Sequence, residues 1–501
     1  MGRRIILVYP NITKAERYRG NLGIFGGNQI PLGMFYLAAY LRKHGYAVDA
    51  VDAESRHIPL ETLIAHIRQG DFDALGISTT TVAFHRALEL ARAARQAFPE
   101  LKIFLGGPHV SSQPLQAMQF PEFDYAIRNE GEETLLVALQ TIEGGSDPSA
   151  VAGLVWRRES VPVMNAARPY IEDLDSLPFP AYDLIPDIDA YSPPPFNYRK
   201  RPTANVITSR GCPNECTFCE NATFGRRVRM RSAESIVDEV EMLMRRRGVR
   251  EIQFVDDTFT VRPKRIYEIF ELAGRRGLRF PWSCMSRINT VDEDLLKYMK
   301  ANGCWYVSFG IESGDEGVLK EIRKNIKLPD VERVIEACRR IGLRTKGFFI
   351  VGHPTETAAT IDKTIAFARR LKLDHVVVTV NTPMPGTYQF QHAREYGDLD
   401  DSSWAAFNYW RPVFVPNGMT RAQLLEKHQQ FLRRFYLRPG LLLHHGWTMA
   451  KDPNTIVQLW DAAKAVTHVG RPSADAGLES RNQPLRHGRG SVRERLAGML
   501  S

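Results

Sequence analysis

Two blocks of the chain alternate short apolar strand patterns with amphipathic helical patterns, and this alternation constrains the fold more than any other feature. In the first block, about residues 1–145, five strand patterns are separated by helical stretches such as Phe84–Phe98. Because no hairpin signals join neighbouring strands, we expect a parallel sheet with helices on both faces. The predicted strands are Arg4–Tyr9, Ala47–Asp52, Ala74–Ser78, Lys102–Leu105 and Asp124–Arg128.

The second block, about residues 201–400, contains six further strand patterns separated by helical patterns. Six strand–helix units in this order fit a full or partial parallel barrel of the TIM type. Ligands of such barrels bind at the carboxyl ends of the strands. The predicted strands are Asn205–Ser209, Glu251–Asp256, Trp282–Ser286, Trp305–Ile311, Thr345–Val351 and His375–Asn381.

These patterns predict an α/β protein with a Rossmann-like (flavodoxin-like) domain over residues 1–145 and a partial (β/α)6 barrel over residues 201–400. Residues 146–200 between them include a short strand pattern, Gly153–Arg157, and Pro-rich Leu177-Pro178-Phe179-Pro180, which indicates a linker. Residues 401–470 have helical patterns, especially between about Trp404 and Val469. Residues 471–501 are polar and rich in Arg and Gly, which predicts a disordered tail.

The net charge of +9 over 501 residues comes from basic residues spread along the chain. No stripe of basic and aromatic residues accompanies the charge, so nucleic-acid binding is not expected. A basic surface suits an anionic substrate or peripheral contact with a membrane. No apolar run reaches the ~18–20 residues that span a bilayer. The apolar N-terminal stretch is too short for a signal peptide, and we expect a cytoplasmic protein.

Three of the six cysteines lie within eight residues, directly after the first barrel strand. The spacing of Cys212, Cys216 and Cys219 is C-x3-C-x2-C, which would also place the three side chains on one face of a helix. Gly211 and Pro213 make a regular helix improbable there. The segment is therefore interpreted as a loop that wraps a metal centre in a reducing compartment.

The number of ligands distinguishes between metals. Zinc would need a fourth ligand, and no other Cys or His lies near the loop. Three thiolates suit a [4Fe–4S] cubane with one iron left open, whereas ordinary electron-transfer clusters use four. The remaining cysteines lie in or beside apolar segments and are predicted to be buried small hydrophobes; they are Cys284, Cys304 and Cys338.

A C-x3-C-x2-C loop after the first strand of a six-unit barrel resembles the radical S-adenosylmethionine (SAM) superfamily. The resemblance implies that the open iron binds SAM and that an electron, from a donor such as flavodoxin or ferredoxin, splits SAM to a 5′-deoxyadenosyl radical. It also implies that Phe218 lies beside the adenine. Among residues at strand ends, Glu312 and Arg287 are candidates for the ammonium and carboxylate of SAM, and Gly352 for close approach of the adenosine.

The first block resembles the cobalamin-binding domain of the radical SAM subfamily that includes the anaerobic Mg-protoporphyrin monomethyl ester cyclase. Leu105-Gly106-Gly107-Pro108-His109 and Arg128-Asn129-Glu130-Gly131-Glu132-Glu133-Thr134 carry this likeness. No G-x-G-x-x-G follows a strand, which argues against a dinucleotide. The residues expected to contact cobalamin are Thr79, Thr80, Gly106, Gly107, Pro108, Glu130 and Gly131.

The Asp-x-His-x-x-Gly signature, which supplies a histidine ligand to cobalt in many cobalamin proteins, is absent from this chain. Asn11-Ile12-Thr13 follows the first strand instead. The nearest histidines of the domain, His57 and His109, are interpreted as ordinary loop residues. Cobalamin is therefore expected to bind without a histidine from that motif.

Three hypotheses about function follow. The first is cobalamin- and SAM-dependent C-methylation of an unactivated carbon in a small molecule or lipid. The second is an oxidoreductase or cyclase of the ester-cyclase type, in which no methyl group is transferred. The third is a non-catalytic iron–sulfur binding protein.

Overall fold

The computed structural model describes residues 3–18, 27–191, 193–194 and 197–441. The predicted tail at 471–501 and the part of the predicted helical region after residue 441 lie outside the described residues. Among the helices of the described part, none combines the length and the apolar character needed to cross a bilayer.

The first sheet has seven strands in the order β2-β1-β3-β4-β5-β6-β7, and the first five are parallel as predicted. Its strands are β1 (Arg4–Tyr9), β2 (Ala47–Asp52), β3 (Ala74–Ser78), β4 (Lys102–Gly106), β5 (Tyr125–Ile127), β6 (Leu154–Arg158) and β7 (Val161–Met164). Its helices are α1 (Lys14–Tyr18), α2 (Leu32–Lys43), α3 (Leu60–Gly70), α4 (Phe84–Ala97), α5 (Pro108–Ser112), α6 (Pro114–Ala117) and α7 (Glu132–Glu143).

Strands β6 and β7 form an antiparallel hairpin that extends the first sheet beyond β5. The sequence predicted a strand at Gly153–Arg157 but placed it in a linker outside the sheet. The structure instead pairs Ala126 of β5 with Val155 of β6. The remainder of 146–200 contains short 3-10 turns.

The second sheet consists of six parallel strands in the order β15-β14-β13-β12-β11-β8, each neighbouring pair in parallel register. Within the described residues β15 does not pair with β8, so the barrel is partial, as predicted. The strands are β8 (Thr203–Val206), β11 (Glu251–Phe254), β12 (Trp282–Ser286), β13 (Cys304–Glu312), β14 (Arg344–Val351) and β15 (His375–Val380). The helices are α8 (Ala233–Arg247), α9 (Pro263–Arg275), α10 (Glu293–Ala301), α11 (Glu316–Glu321), α12 (Leu328–Arg340), α13 (Ala358–Arg370), α14 (Tyr388–Tyr396) and α15 (Arg421–Tyr436).

Two small hairpins complete the described structure. One pairs β9 (Ser209–Arg210) with β10 (Arg229–Met230), and the other pairs β16 (Gly397–Leu399) with β17 (Phe414–Pro416). The helical pattern expected from about Trp404 is therefore wrong before Arg421, because Pro412 and Pro416 interrupt it. The later part of the prediction is met by α15.

The carboxyl ends of the two sheets face each other. The loop after β4 reaches the barrel at Ser112: a Cβ added to Gly386, after β15, would lie 3.0 Å from Ser112 Oγ and 3.2 Å from Glu220 Cγ, after β8. Glu220 and Ser112 also form a side-chain hydrogen bond. The ligand-binding edges of two parallel sheets are thus brought together.

Candidate active site

The cysteine loop starts at a fixed point on the barrel. Asp256, fully buried at the end of β11, accepts hydrogen bonds through Oδ1 from the Thr208 amide (3.0 Å), the Thr208 hydroxyl (2.8 Å) and the Ser209 hydroxyl (2.5 Å). The next turn requires Gly211, whose φ is +92° and whose added Cβ would lie 2.3 Å from Arg227 O. A glycine is therefore needed at the position where the chain leaves β9 and enters the cysteine loop.

The three thiols lie at the mouth of the barrel and form no disulfides. Cys216 is buried, and its Sγ lies 3.4 Å from Arg287 Nη1. The Cys212 Sγ accepts a hydrogen bond from Asn214 Nδ2 at 3.2 Å. Burial, together with the neighbouring Cys216, Asp257 and Cys212, raises the pKa of Cys219 to about 12. Such a thiol needs a positive partner, such as an iron cluster, to ionise at neutral pH.

The described residues contain no group of three or more His, Cys, Asp or Glu side chains that converges on one metal ion. Three thiolates that bind separate irons of a cubane need not converge on a single point. The other cysteines are buried in the barrel core, as predicted; they are Cys284, Cys304 and Cys338.

Two of the predicted SAM residues meet a lysine that the sequence did not indicate. Glu312 ends β13 at a register shift, with a left-handed φ of 68°, and its Oε1 lies 2.7 Å from Lys324 Nζ. Arg287 donates a hydrogen bond to the Lys324 carbonyl. The Glu312 and Lys324 side chains are only 7% and 5% exposed. Opposite charges of this kind match the ammonium and carboxylate of an amino acid.

Phe218 lies beside this ion pair, with the Lys324 Nζ 5.8 Å from its ring centroid. Its other neighbour is His353, whose ring centroid is 5.5 Å away. Gly352 has a φ of +88°, and an added Cβ would lie 3.0 Å from Leu424 of α15. The glycine thus makes room for a helix; its contact with adenosine stays a prediction.

Buried polar atoms behind Phe218 lack partners within the described part of the chain. They are His353 Nε2, Glu356 Oε1 and Gln389 Oε1. Burial, with a smaller effect of Lys324, lowers the pKa of His353 to about 3, and burial raises the pKa of Glu356 to about 8. A set of neutral, unsatisfied polar groups beside an aromatic ring fits the edge of a bound heterocycle.

The predicted cobalamin residues fall into two groups. Five of them lie together at the carboxyl ends of β3 and β4; they are Thr79, Thr80, Gly106, Gly107 and Pro108. Gly107 has a φ of +101°, and an added Cβ would lie 2.5 Å from the Thr79 carbonyl. The Thr80 hydroxyl, buried at the same edge, lies close to the Tyr9 hydroxyl and forms a side-chain hydrogen bond with it. This edge offers a glycine turn to a ligand.

Glu130 and Gly131 lie at the end of β5 and face other parts of the protein. Both carboxylate oxygens of Glu130 accept hydrogen bonds from Arg229 Nη1, at 2.7 and 2.8 Å, and Oε1 also accepts one from Arg210 Nη1 at 2.8 Å. A Cβ on Gly131 would lie 3.1 Å from Leu37 of α2. Direct contact of these two residues with cobalamin stays a prediction.

His109 lies on α5, not in a loop, and is fully buried. Its Nδ1 lies 3.3 Å from the Thr81 hydroxyl and its Nε2 lies 3.1 Å from Gln116 Oε1. Both ring nitrogens therefore have protein partners, and burial lowers the pKa of His109 to about 4. His57 is exposed in a turn after β2.

Several side chains near the carboxyl ends of the barrel strands are accessible to water. Tyr409 is 45% exposed, but burial, followed by Cys219 and Glu220, raises its pKa to about 12. Asp257 is exposed, and burial, followed by Asp256, raises its pKa. Met285 is 39% exposed although its neighbours in β12 are buried. Tyr409 and Asp257 both lie close enough to Cys219 for their charges to affect it, so accessible polar groups border the thiol loop.

Comparison with known proteins agrees with this geometry. The model of the radical SAM superfamily matches residues 206–368, and that of the B12 binding domain matches residues 18–139. An uncharacterized methyltransferase of Pyrococcus horikoshii is 32% identical over 464 residues, which cover 91% of this chain and 98% of the relative. The chain belongs to the radical SAM superfamily, in the group that carries a B12-binding domain.

One further sequence relative and one solved structure resemble this radical SAM protein. The anaerobic magnesium-protoporphyrin IX monomethyl ester cyclase of Rubrivivax gelatinosus is 29% identical over 448 residues, 88% of this chain and 78% of the relative. The fold is shared with the radical SAM methyltransferase TsrM of Kitasatospora setae, solved with cobalamin and a [4Fe–4S] cluster. The TM-score is 0.67 at 16% identity, over 89% of this chain and 90% of TsrM.

The protein is therefore a radical SAM enzyme, and the hypothesis of a non-catalytic iron–sulfur protein is set aside. Its cofactors are a [4Fe–4S] cluster, SAM and cobalamin, as the sequence predicted. The residues described above fit these groups: three free thiols for the cluster, a buried ion pair for the amino-acid end of SAM, and a glycine turn for cobalamin.

Proposed function

We propose that this enzyme transfers a methyl group to an unactivated carbon of a small-molecule or lipid substrate. The observation that carries the proposal is the meeting of the loops after β4, β8 and β15 beside the thiol loop, at Ser112, Glu220 and Gly386. A substrate at this meeting point would lie between the thiol loop and the edge of the cobalamin domain. Methyl transfer from one domain to a carbon activated by the other requires such a position.

Cys212, Cys216 and Cys219, which are free thiols, would hold the cluster. With SAM bound, that cluster would supply the radical chemistry, and cobalamin would supply the methyl group. Glu312 and Lys324 would separate when SAM binds, with the carboxylate of Glu312 taking the ammonium and Lys324 taking the carboxylate. After the exchange the Glu312 and Lys324 charges are each paired with a group of opposite charge on SAM. This pairing offsets the cost of keeping both charges buried.

The cobalamin edge would hold its cofactor through Thr80, Gly106 and Gly107. His109 is fully buried with both nitrogens engaged, so it is not available to cobalt without breaking two contacts. This arrangement supports the expectation of cobalamin bound without a histidine from this domain.

The walls of the barrel suggest the kind of substrate. Side chains alternate between the two faces of a strand, and the positions of β14 and β15 that alternate with the buried core residues are partly accessible to water. They are Phe348, Ile350, Val377 and Thr379. Phe348, Ile350, Val377 and Met285 give this side of the barrel apolar groups. Lys346, on the same face of β14 as Phe348, and the accessible Asp257 and Tyr409 provide polar groups. A molecule with an apolar body and a polar end fits this surface.

The second candidate is an oxidoreductase or cyclase without methyl transfer, which the similarity to the ester cyclase favours. Protein reconstituted without oxygen and assayed with methyl-labelled SAM tests both. Apolar cell extracts serve as the source of substrate in this assay. Methyl label in a product formed from the extract supports methylation, and deoxyadenosine with no transferred label supports the cyclase type. Absence of cobalt from protein that contains a full cluster would contradict the proposal.

We also propose that the enzyme works in the reducing cytosol with a flavodoxin or ferredoxin as electron donor. All six cysteines are free, including the exposed Cys219. Peripheral contact with a membrane would suit a lipid substrate. Reduction of the cluster by purified flavodoxin, followed by the loss of its visible absorbance, is the corresponding test; a cluster that flavodoxin leaves oxidised would contradict this choice of donor.

A further inference from the structure

A buried network of charges joins the cobalamin domain to the strand that leads into the cysteine loop. Arg210, in β9, contacts Glu130 at 2.8 Å and Glu132 at 2.6 Å, and Arg229, in β10, contacts Glu130 at 2.7 Å. All four side chains are between 2% and 5% exposed. The two carboxylates come from the end of β5 and the start of α7, and both guanidinium groups come from the barrel domain.

Three members of this network have further contacts that fix their place. Arg210 lies 5.2 Å from the ring centroids of both Tyr36 and Phe224. Arg229 lies 4.9 Å from the Tyr170 ring and donates to the Ile171 carbonyl at 2.7 Å, and Glu130 accepts a hydrogen bond from the Ile171 amide at 2.8 Å. Buried ion pairs resist displacement, because each partner would be left as an uncompensated charge.

On the barrel side, the network is close to the thiol loop. Arg210 precedes Cys212 by two residues, and it is paired across the β9–β10 hairpin with Arg229. Ser209, in the same hairpin, donates a hydrogen bond from its hydroxyl to Asp256. A shift of Arg210 would therefore carry the start of the cysteine loop with it.

On the other side, the network is close to the predicted cobalamin edge. Asn129, next to Glu130, donates its amide to the Ser111 hydroxyl at 2.9 Å, and that hydroxyl in turn donates to the Gly107 carbonyl at 3.3 Å. Asn129, the neighbour of Glu130 in the chain, is thus two hydrogen bonds away from the glycine turn after β4. The buried network and these two partly buried hydrogen bonds connect the two predicted cofactor sites.

We propose that Glu130, Glu132, Arg210 and Arg229 are positioning residues that set the placement of the cobalamin edge relative to the cysteine loop. The catalytic meaning of this placement rests on the proposed function, since methyl transfer needs both cofactors at one substrate carbon. Positioning of reactants contributes a large part of the rate of such reactions. The motif around Glu130, which resembles a cobalamin contact in sequence, acts here between domains.

Holoenzyme with both cofactors, reduced so that the cluster and Co(II) are paramagnetic, tests the proposal by electron paramagnetic resonance. The magnetic interaction between the two centres depends on their separation and orientation. In Glu130→Gln we expect an altered or more widely distributed interaction, with iron and cobalt contents equal to those of the wild type. Glu132→Gln, which loses one contact instead of several, provides the same comparison should Glu130→Gln fail to fold.

Glu239→Gln is the matched control. Glu239 is fully buried and ion-paired to Arg231, and Tyr182 donates to it at 2.6 Å. Arg231 and Glu239 both belong to the barrel domain, and Arg231 reaches the cobalamin domain through a 3.4 Å hydrogen bond to the Tyr36 hydroxyl and not through an ion pair between the domains. This variant should keep the wild-type interaction even where it lowers stability as much as Glu130→Gln. An interaction changed equally in both variants would indicate a general structural effect and overturn the proposal.

Two other results would overturn it. An unchanged interaction in fully loaded Glu130→Gln or Glu132→Gln removes the positioning role. A lowered cobalt content in Glu130→Gln indicates a direct cobalamin contact instead. Wild-type protein that lacks one of the two signals contradicts the proposed function itself, and a normal wild type with unchanged variants contradicts only this inference.

Discussion

The ion pair between Glu312 and Lys324 allows a double-mutant cycle on the proposed SAM site. The partners are 2.7 Å apart and at most 7% exposed, and a Cβ on Gly310 would lie 2.5 Å from Glu312 Oε1. Because the site has so little space for water, Glu312→Gln leaves the Lys324 ammonium unpaired. Removing one partner of a buried pair costs ~3–5 kcal/mol, whereas replacing both partners is often close to neutral.

We therefore expect Glu312→Gln and Lys324→Met each to lower the free energy of unfolding of the cofactor-free protein by ~3–5 kcal/mol. The double variant should be more stable than either single variant. Anaerobic denaturation with urea, followed by tryptophan fluorescence, measures these differences. Single variants within ~1 kcal/mol of the wild type, or a double variant whose loss is the sum of the two, would refute the reasoning.

The same variants are expected to weaken SAM binding. Loss of a hydrogen bond to a charged group costs ~1.5–3 kcal/mol, which corresponds to a Kd increase of about 10- to 150-fold. Equilibrium binding of SAM to cluster-loaded protein measures the change. Since the cysteines are untouched, iron content should stay at the wild-type level, and a Kd within about 2-fold of the wild type would place the amino-acid end of SAM elsewhere.

Three further predictions concern the cluster, the cobalamin edge and a buried acid. Cys219→Ala should abolish the cluster and SAM cleavage, whereas Cys338→Ala, at a buried core thiol, should retain both; an iron assay and deoxyadenosine analysis decide this, and cleavage by Cys219→Ala would refute the ligand assignment. Gly107→Ala places a Cβ 2.5 Å from the Thr79 carbonyl at a φ of +101°. It should lose ~1–3 kcal/mol of stability and much of its cobalamin. In Gly145→Ala the φ is +65° but nothing lies within 4 Å, so only the smaller backbone strain is expected, and equal cobalt contents in the two variants would contradict the role of the glycine turn. Burial raises the pKa of Glu356 from 4.5 to about 8, so the folded state binds this proton more tightly than the unfolded state. Wild-type stability should then fall relative to Glu356→Gln as the pH rises from about 4.5 to about 8, and parallel stability curves in thermal melts would show that the carboxyl does not titrate in this way.

Local patterns determined the elements and the metal loop. The strands Arg4–Tyr9 and Trp282–Ser286 have the bounds that the sequence predicts, because the pattern of buried residues that defines a strand is written in consecutive positions. The three cysteines and Gly211 likewise act through their own spacing. The parallel order of the sheets follows from the alternation of strands and helices.

Contacts between distant segments were decided only by the tertiary structure. The sequence gives no sign that Lys324 would face Glu312 inside the barrel, or that β6 and β7 would join the first sheet and not the linker. Glu130 and Arg210 are 80 residues apart, and their pairing depends on how two domains pack. The residues around a charged side chain in the sequence do not indicate its partner. The two charges attract each other strongly only after folding removes both of them from water.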